Sequence, residues 1–208
     1  MIDICEDRDI SQWTGGCDWE MGIPDYAIFT PANISIPATA AETPEGLISY
    51  LRQQSLPNVP ADKRFYPIFG QITRITDEST EPEMGSMDKG YTKQLLPPRE
   101  ILLLEWPSSV YSDRHIQKLS RYKGGCLIWN TEKRLVGSEN EDGSMGALPV
   151  EVTSAFGGGF AGSGGEVQSY RLRIDLGSQD LLNATAKVFP LPPKARFENI
   201  IPPAVPVV

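Results

Sequence analysis

Tyr170-Arg171-Leu172-Arg173-Ile174-Asp175-Leu176 alternates an apolar and a charged side chain at every step. Successive strand residues point to opposite faces, so this stretch is a strand with one face in a core and one in water. Upstream, Leu148, Val150 and Val152 repeat the pattern more briefly. Ile101-Leu102-Leu103-Leu104-Glu105-Trp106 is an unbroken apolar run of strand length, expected as a buried central strand. Cys126-Leu127-Ile128-Trp129, the polar link Asn130-Thr131-Glu132-Lys133 and Leu135-Val136-Gly137 make a hairpin, and Asp142-Gly143 marks a second tight turn. The expected fold is therefore mainly β, a sandwich or barrel.

Toward the amino terminus, Tyr26-Ala27-Ile28-Phe29 and Ile34-Ser35-Ile36 read as one or two short strands interrupted by prolines. Phe65–Phe69 and Ile72–Ile75 read as a strand pair or one bent strand. Two short helices complete the body. In the first, Thr43 is the N-cap, Pro44 fits the first helical position, Leu47, Ile48 and Leu51 make an apolar face, and Leu56-Pro57 ends it. The second starts at Ser112, carries Ile116, Leu119 and Tyr122 on one face and ends at Gly124-Gly125.

Two arms flank this body. Residues 1–21 hold Trp13 and Trp19 among glycines and acids with no sustained period, a composition that suits an interface or the closing of the protein's own core. Residues 190–208 carry six prolines and read as an extended, polyproline-like arm. The polar, acidic stretch Asp77–Lys89 reads as a long exposed loop of the kind that orders against a partner. One domain, residues 22–189, is the economical organisation for a chain of 208 residues. Gly 19 and Pro 18 without a period fit a fold rich in turns.

A net charge of −8, with no basic tract longer than Lys133-Arg134, argues against a general nucleic-acid footprint, although DNA could pass an acidic wall without sticking. The acidic start Met1-Ile2-Asp3-Ile4-Cys5-Glu6 lacks the basic and apolar regions of a signal peptide, and no stretch approaches the ~18 apolar residues of a membrane span. Cys5, Cys17 and Cys126 are sparse and odd in number, as suits a reducing compartment, and Cys5 and Cys17 lack the second pair that a structural zinc site needs.

Catalytic patterns fail one by one. His115 is the sole histidine, placed beside Asp113 with no nucleophile elbow elsewhere. Gly157-x-Gly159-x-x-Gly162 matches the dinucleotide fingerprint, but a strand rather than a helix follows, so no helix N-terminus would face a pyrophosphate. Ser138–Gly143 resembles the first half of a calcium loop, yet Pro149 stands where the bidentate glutamate belongs. Asn33-Ile34-Ser35 and Asn183-Ala184-Thr185 are glycosylation sequons that need secretion to matter. No carboxylate pair can be nominated for glycosidase chemistry. The expectation is a protein that is not an enzyme, with no cofactor and no metal.

The order of phrases in the carboxyl-terminal half carries a resemblance: Leu127-Ile128-Trp129, a hairpin, Leu135-Val136-Gly137, Asp142-Gly143-Ser144, Val150-Glu151-Val152, then Tyr170–Leu176 running into a turn at Leu181-Leu182-Asn183. Over residues 100–190 this layout resembles tail-tube-like structural proteins of tailed bacteriophages. The resemblance implies a β-sandwich or barrel flanked by a helix, assembly into a ring or tube with copies of itself and other virion proteins, and a place in the virion after assembly in the host cytoplasm. It implies neither a membrane nor specific nucleic-acid binding. The aromatic and proline-rich arms depart from a minimal tube subunit and leave a connector, terminator or capsid-decorating protein open. A soluble carbohydrate- or protein-binding β-sandwich is the alternative, and an enzyme using a carboxylate pair stands third. Candidate assembly contacts are Trp13, Trp19, Glu81, Glu83, Met84, Met87, Phe156, Phe160 and Phe197.

Overall fold

A computed structural model describes residues 23–68, 70–86, 92–107, 119–140, 142–156 and 169–201. Its frame is set by the alternating segment. Strand β11, Ser169–Ser178, buries Tyr170, Leu172, Ile174 and Leu176 in the main core and turns Arg171 and Arg173 outward. It pairs antiparallel with β10, Leu148–Phe156, on one side and with β6, Arg99–Pro107, on the other. Beyond β6 lies β3, Arg74–Asp77, the last strand on that side.

The apolar run in β6 is central, as its composition demands, but it is buried mainly from one side. Leu102, Leu104 and Trp106 enter the core, while Leu103 is half-buried and Glu105 faces Arg171 on the opposite surface. The alternation is present; leucine on both faces conceals it in the sequence.

Strand β7, Lys123–Asn130, is the hub. One edge pairs with β1, Pro24–Thr30, along most of its length. The other edge is shared: Lys123–Cys126 pair with β10, and Ile128 and Trp129 pair with Val136 and Leu135 of β8, Arg134–Glu139. Gly124 and Gly125 permit this crowding. A Cβ at Gly125 would lie 2.5 Å from Thr30 Oγ1 and 2.6 Å from the Ala147 Cβ. β8 continues the sheet to β12, Ala186–Pro190, with β9, Met145–Gly146, on its flank, while β2, Tyr66–Pro67, pairs with β1. Among the described residues, ten strands thus form one antiparallel sheet.

β1, β7 and β8 are buried on both faces. Ala27, Phe29, Cys126, Ile128 and Val136 join the main core. Ile28, Leu127, Trp129 and Leu135 enter a second cluster. That second face is covered by helix α2, Pro44–Gln54, which follows the short α1, Ala38–Ala41. Thr43 Oγ1 accepts from the Gly46 amide at 3.1 Å and caps α2, whose Leu47 and Leu51 are buried. The cap, the face and the stop are those the sequence specified.

Four expectations need correction. β2 and β3 do not pair with each other; they join β1 and β6 respectively. Asp77–Lys89 is not simply a loop: Glu83–Ser86 forms β4 and pairs with β5, Thr92–Leu96, as a separate two-stranded ribbon. Leu181-Leu182-Asn183 lies not in a turn but in a helix, α3, Gln179–Thr185, capped by Ser178 Oγ accepting from Leu181 N. The proline-rich tail does not leave the body at residue 190. Leu191, Ala195, Phe197 and Ile200 are buried in the second cluster. Proline removes a ladder donor, but nothing prevents an apolar segment rich in it from filling a groove. The second expected helix, from Ser112, lies almost wholly outside the described residues; Leu119 is buried and Tyr122 packs edge-on against Phe29, with ring centroids 5.7 Å apart.

Candidate assembly surfaces

Three regions bear on how this chain could meet another. The first is the β4–β5 ribbon, inserted between β3 and β6. Its register runs from Glu83 opposite Leu96 to Ser86 opposite Thr92, with a shift after Glu83. Glu81, Pro82 and Glu83 are exposed at its base, and Leu96 is 58% exposed. Among the described residues, the segments joining it to β3 and β6 meet through a bridge between Thr80 and Arg99 and through Glu78 N to Ile101 O at 2.8 Å and Ile101 N to Ser79 Oγ at 3.1 Å. A two-stranded ribbon is at best marginally stable alone in water, because it lacks a second layer to bury against.

Next to the ribbon is the outer face of β10, β11, β6 and β3. Arg171 Nε meets Glu105 Oε1 at 3.1 Å, Arg173 Nε meets Glu78 Oε2 at 2.6 Å, and Arg99 Nη2 and Nε meet Asp175 Oδ2 at 2.8 and 3.0 Å. Lys123 Nζ lies 2.8 Å from Glu151 Oε1. Each of these basic groups already faces a carboxylate across a strand boundary. The face is therefore a cross-strand lattice, not a cradle for phosphate. Such exposed pairs contribute only about 0–1 kcal/mol each. Glu105 and Asp175 are buried beneath their arginines, so that removing either arginine would leave a buried carboxylate without its partner.

The third surface is the second face, where residues 191–201 cross β1, β7 and β8 as a strap. Phe197 stacks on Tyr26 with centroids 4.2 Å apart and planes 6° apart, and meets Trp129 edge-on at 5.7 Å. Burial, then the nearby Asp25 and Glu198 carboxylates, raises the Tyr26 pKa.

The expected contact residues divide accordingly. Glu81 and Glu83 stand exposed at the base of the ribbon. Met84 lies in β4, and Phe156 pairs with Arg171 at the end of β10. Phe197 is 2% exposed and packs inside its own chain, so its site in the structure is core rather than free surface. Trp13, Trp19, Met87 and Phe160 lie outside the described residues, as do His115 and the Gly157–Gly162 pattern. The half-matched calcium loop is a side-chain-capped turn. Asp142 Oδ1 accepts from Ser144 N at 2.9 Å and from Ser144 Oγ at 2.6 Å, which lowers the Asp142 pKa. Among the described residues, no three His, Cys, Asp or Glu side chains group as a metal site, and no helix is long and apolar enough to cross a membrane.

Leu96 and strand β5 escaped the sequence reading, although a signal was present. Pro82 and Pro97-Pro98 bracket residues 83–96, and paired breakers at that spacing delimit a hairpin. Compared with protein-family models, curated proteins and solved structures, the chain matches none.

Proposed function

We propose that the chain is a non-enzymatic structural subunit that assembles with copies of itself, a tail-tube-like or related ring-forming protein of a tailed-phage virion. The observation that carries this reading is the β4–β5 ribbon, a separate two-stranded sheet with exposed Glu81, Glu83 and Leu96. A ribbon without a second layer gains stability when a neighbour supplies one. Among the described residues β3 beside it ends the main sheet, and a sheet edge offers backbone groups to another chain. Head-to-tail use of ribbon and edge closes into a ring under rotational symmetry. A soluble binding module would expose aromatics along a groove; every described aromatic side chain with a stated burial is buried or half-buried.

The test is a Glu81→Lys/Glu83→Lys variant compared with the parent by light scattering across a concentration series. Both positions are exposed, so the melting temperature stays within the small range usual for surface substitutions. The reading expects the parent to assemble and the variant to assemble only at higher concentration. Identical assembly curves would exclude the ribbon as the contact.

A further inference from the structure

We propose that the carboxyl-terminal strap, residues 191–201, exchanges between copies, so that the strap of one subunit seats on the second face of its neighbour. This inference rests on the assembly reading above. It starts from how the strap is held. The last backbone hydrogen bond from the described strap to the body is Leu191 N to Lys133 O, at 3.0 Å. After it come a reverse turn, Ala195 N to Pro192 O at 2.8 Å, and one side-chain tie, Lys133 Nζ to Pro193 O at 2.7 Å. Among the described residues, the amides of Asn199, Ile200 and Ile201 donate to the carbonyls of Arg196, Phe197 and Glu198, within the strap itself.

The strap is thus a self-contained plug, attached by apolar side chains and joined to β12 through a short hinge. Phe197 fills the slot between Tyr26 and Trp129, and Ile200 and Ala195 are buried beside it. A groove that fits this segment of one copy fits the same segment of another, and exchange keeps every side-chain contact. What changes is the hinge, where Leu191 and Pro192 each precede a proline and are biased to extended backbone. Swinging the strap out at Leu191 releases the Leu191 N–Lys133 O bond and the Lys133 Nζ tie, which re-form with Lys133 of the receiving copy, and leaves the ladder of β12 intact. Exchange of an identical element is a low-cost route between protomers, and it would link ring neighbours through a buried contact where the ribbon offers an exposed one.

Asp25 and Glu198 adjoin Tyr26 and Phe197 in the chain, and those two rings stack with centroids 4.2 Å apart, so cysteines at these positions report where the strap sits. In a full-length Cys5→Ser/Cys17→Ser background, Asp25→Cys is placed in one preparation and Glu198→Cys in another. Cys126 is wholly buried and stays silent. The two are mixed at assembling concentration and treated with a short bis-maleimide, with each single variant alone as the collision control and with both substitutions in one chain as the closed reference. Exchange predicts covalent dimers in the mixture at least tenfold above either single-variant control. If the mixture matches the controls while light scattering shows assembly, exchange is wrong and the assembly reading stands. If all samples stay monomeric, both fall. A same-chain double variant that links only to itself in the assembled state also overturns the proposal.

Discussion

Gly125→Ala tests the packing that makes β7 the hub. The added methyl would sit 2.5 Å from Thr30 Oγ1, 2.6 Å from the Ala147 Cβ and 3.2 Å from the Pro31 carbonyl oxygen. None of these is the far end of a flexible side chain, and Thr30 is wholly buried, so the strands themselves must part. Overpacking a close-packed core costs about 1–3 kcal/mol, and two contacts this short place the cost near 3 kcal/mol. For a domain of this size that lowers the melting temperature by roughly 6–12 °C, at about 2–4 °C per kcal/mol. Circular dichroism melts read it directly. Removing the opposing methyl supplies the internal control. Ala147→Gly combined with Gly125→Ala should recover part of the loss, giving a coupling of about 1 kcal/mol or more in the double-mutant cycle. Gly143→Ala gives the contrast, because no atom lies within 4 Å of that Cβ and only its φ of +75° resists substitution. It should cost about 1–2 kcal/mol. A Gly125→Ala protein that melts with the parent would refute the three-way junction of β1, β7 and β10.

Further predictions concern groups whose surroundings shift their chemistry. Complete burial pushes the Cys126 thiol up to about 12; in a Cys5→Ser/Cys17→Ser background it should react with thiol reagents only as fast as the protein unfolds, and rapid labelling at neutral pH would contradict its position. Burial likewise pushes Tyr122 up to about 12, and its hydroxyl donates to the Thr30 carbonyl. Tyr122→Phe should remove a late-ionising phase from an ultraviolet alkaline titration and cost about 1–2 kcal/mol by leaving that carbonyl short of a partner. Glu100 is raised by burial and then by Asp77. The stability it supports is present below the ordinary carboxylate range and lost as pH rises through its raised pKa, so Glu100→Gln should flatten that fall in urea midpoints. Asp142, lowered by Ser144, has the opposite sign: its contribution is present above the ordinary range and lost as pH falls through the lowered pKa, and Asp142→Asn should blunt acid sensitivity.

Local signals made the frame legible. The alternation in β11, the cap and face of α2, and the β7–β8 hairpin each depend on neighbours within a few residues, and each stands where the sequence puts it. What escaped depends on tertiary context. Leu103 sits beside inward Leu102 and Leu104, so a run of leucines gives no sign of which face is wet until Arg171 meets Glu105 across the strands. Ser178 had the chemistry of a cap, but the helix after it spans only Gln179–Thr185, too short to show a period. The strap is hidden for a different reason: its prolines exclude a ladder, and only the slot between Tyr26 and Trp129 gives Phe197 a place. Of the candidate surface, Glu81 and Glu83 were legible as charge in a breaker-bounded stretch, whereas Leu96 was signalled only by the flanking prolines Pro82 and Pro97-Pro98, which mark a hairpin's limits but not its exposed residues.

The most direct test of the assembly claim is sedimentation velocity on the purified full-length chain over a wide concentration range. The account predicts a discrete species at a fixed multiple of the subunit mass, in exchange with the subunit. A single monomeric boundary persisting to the highest concentration would contradict it, and would leave the ribbon and the edge of β3 without a partner of their own kind.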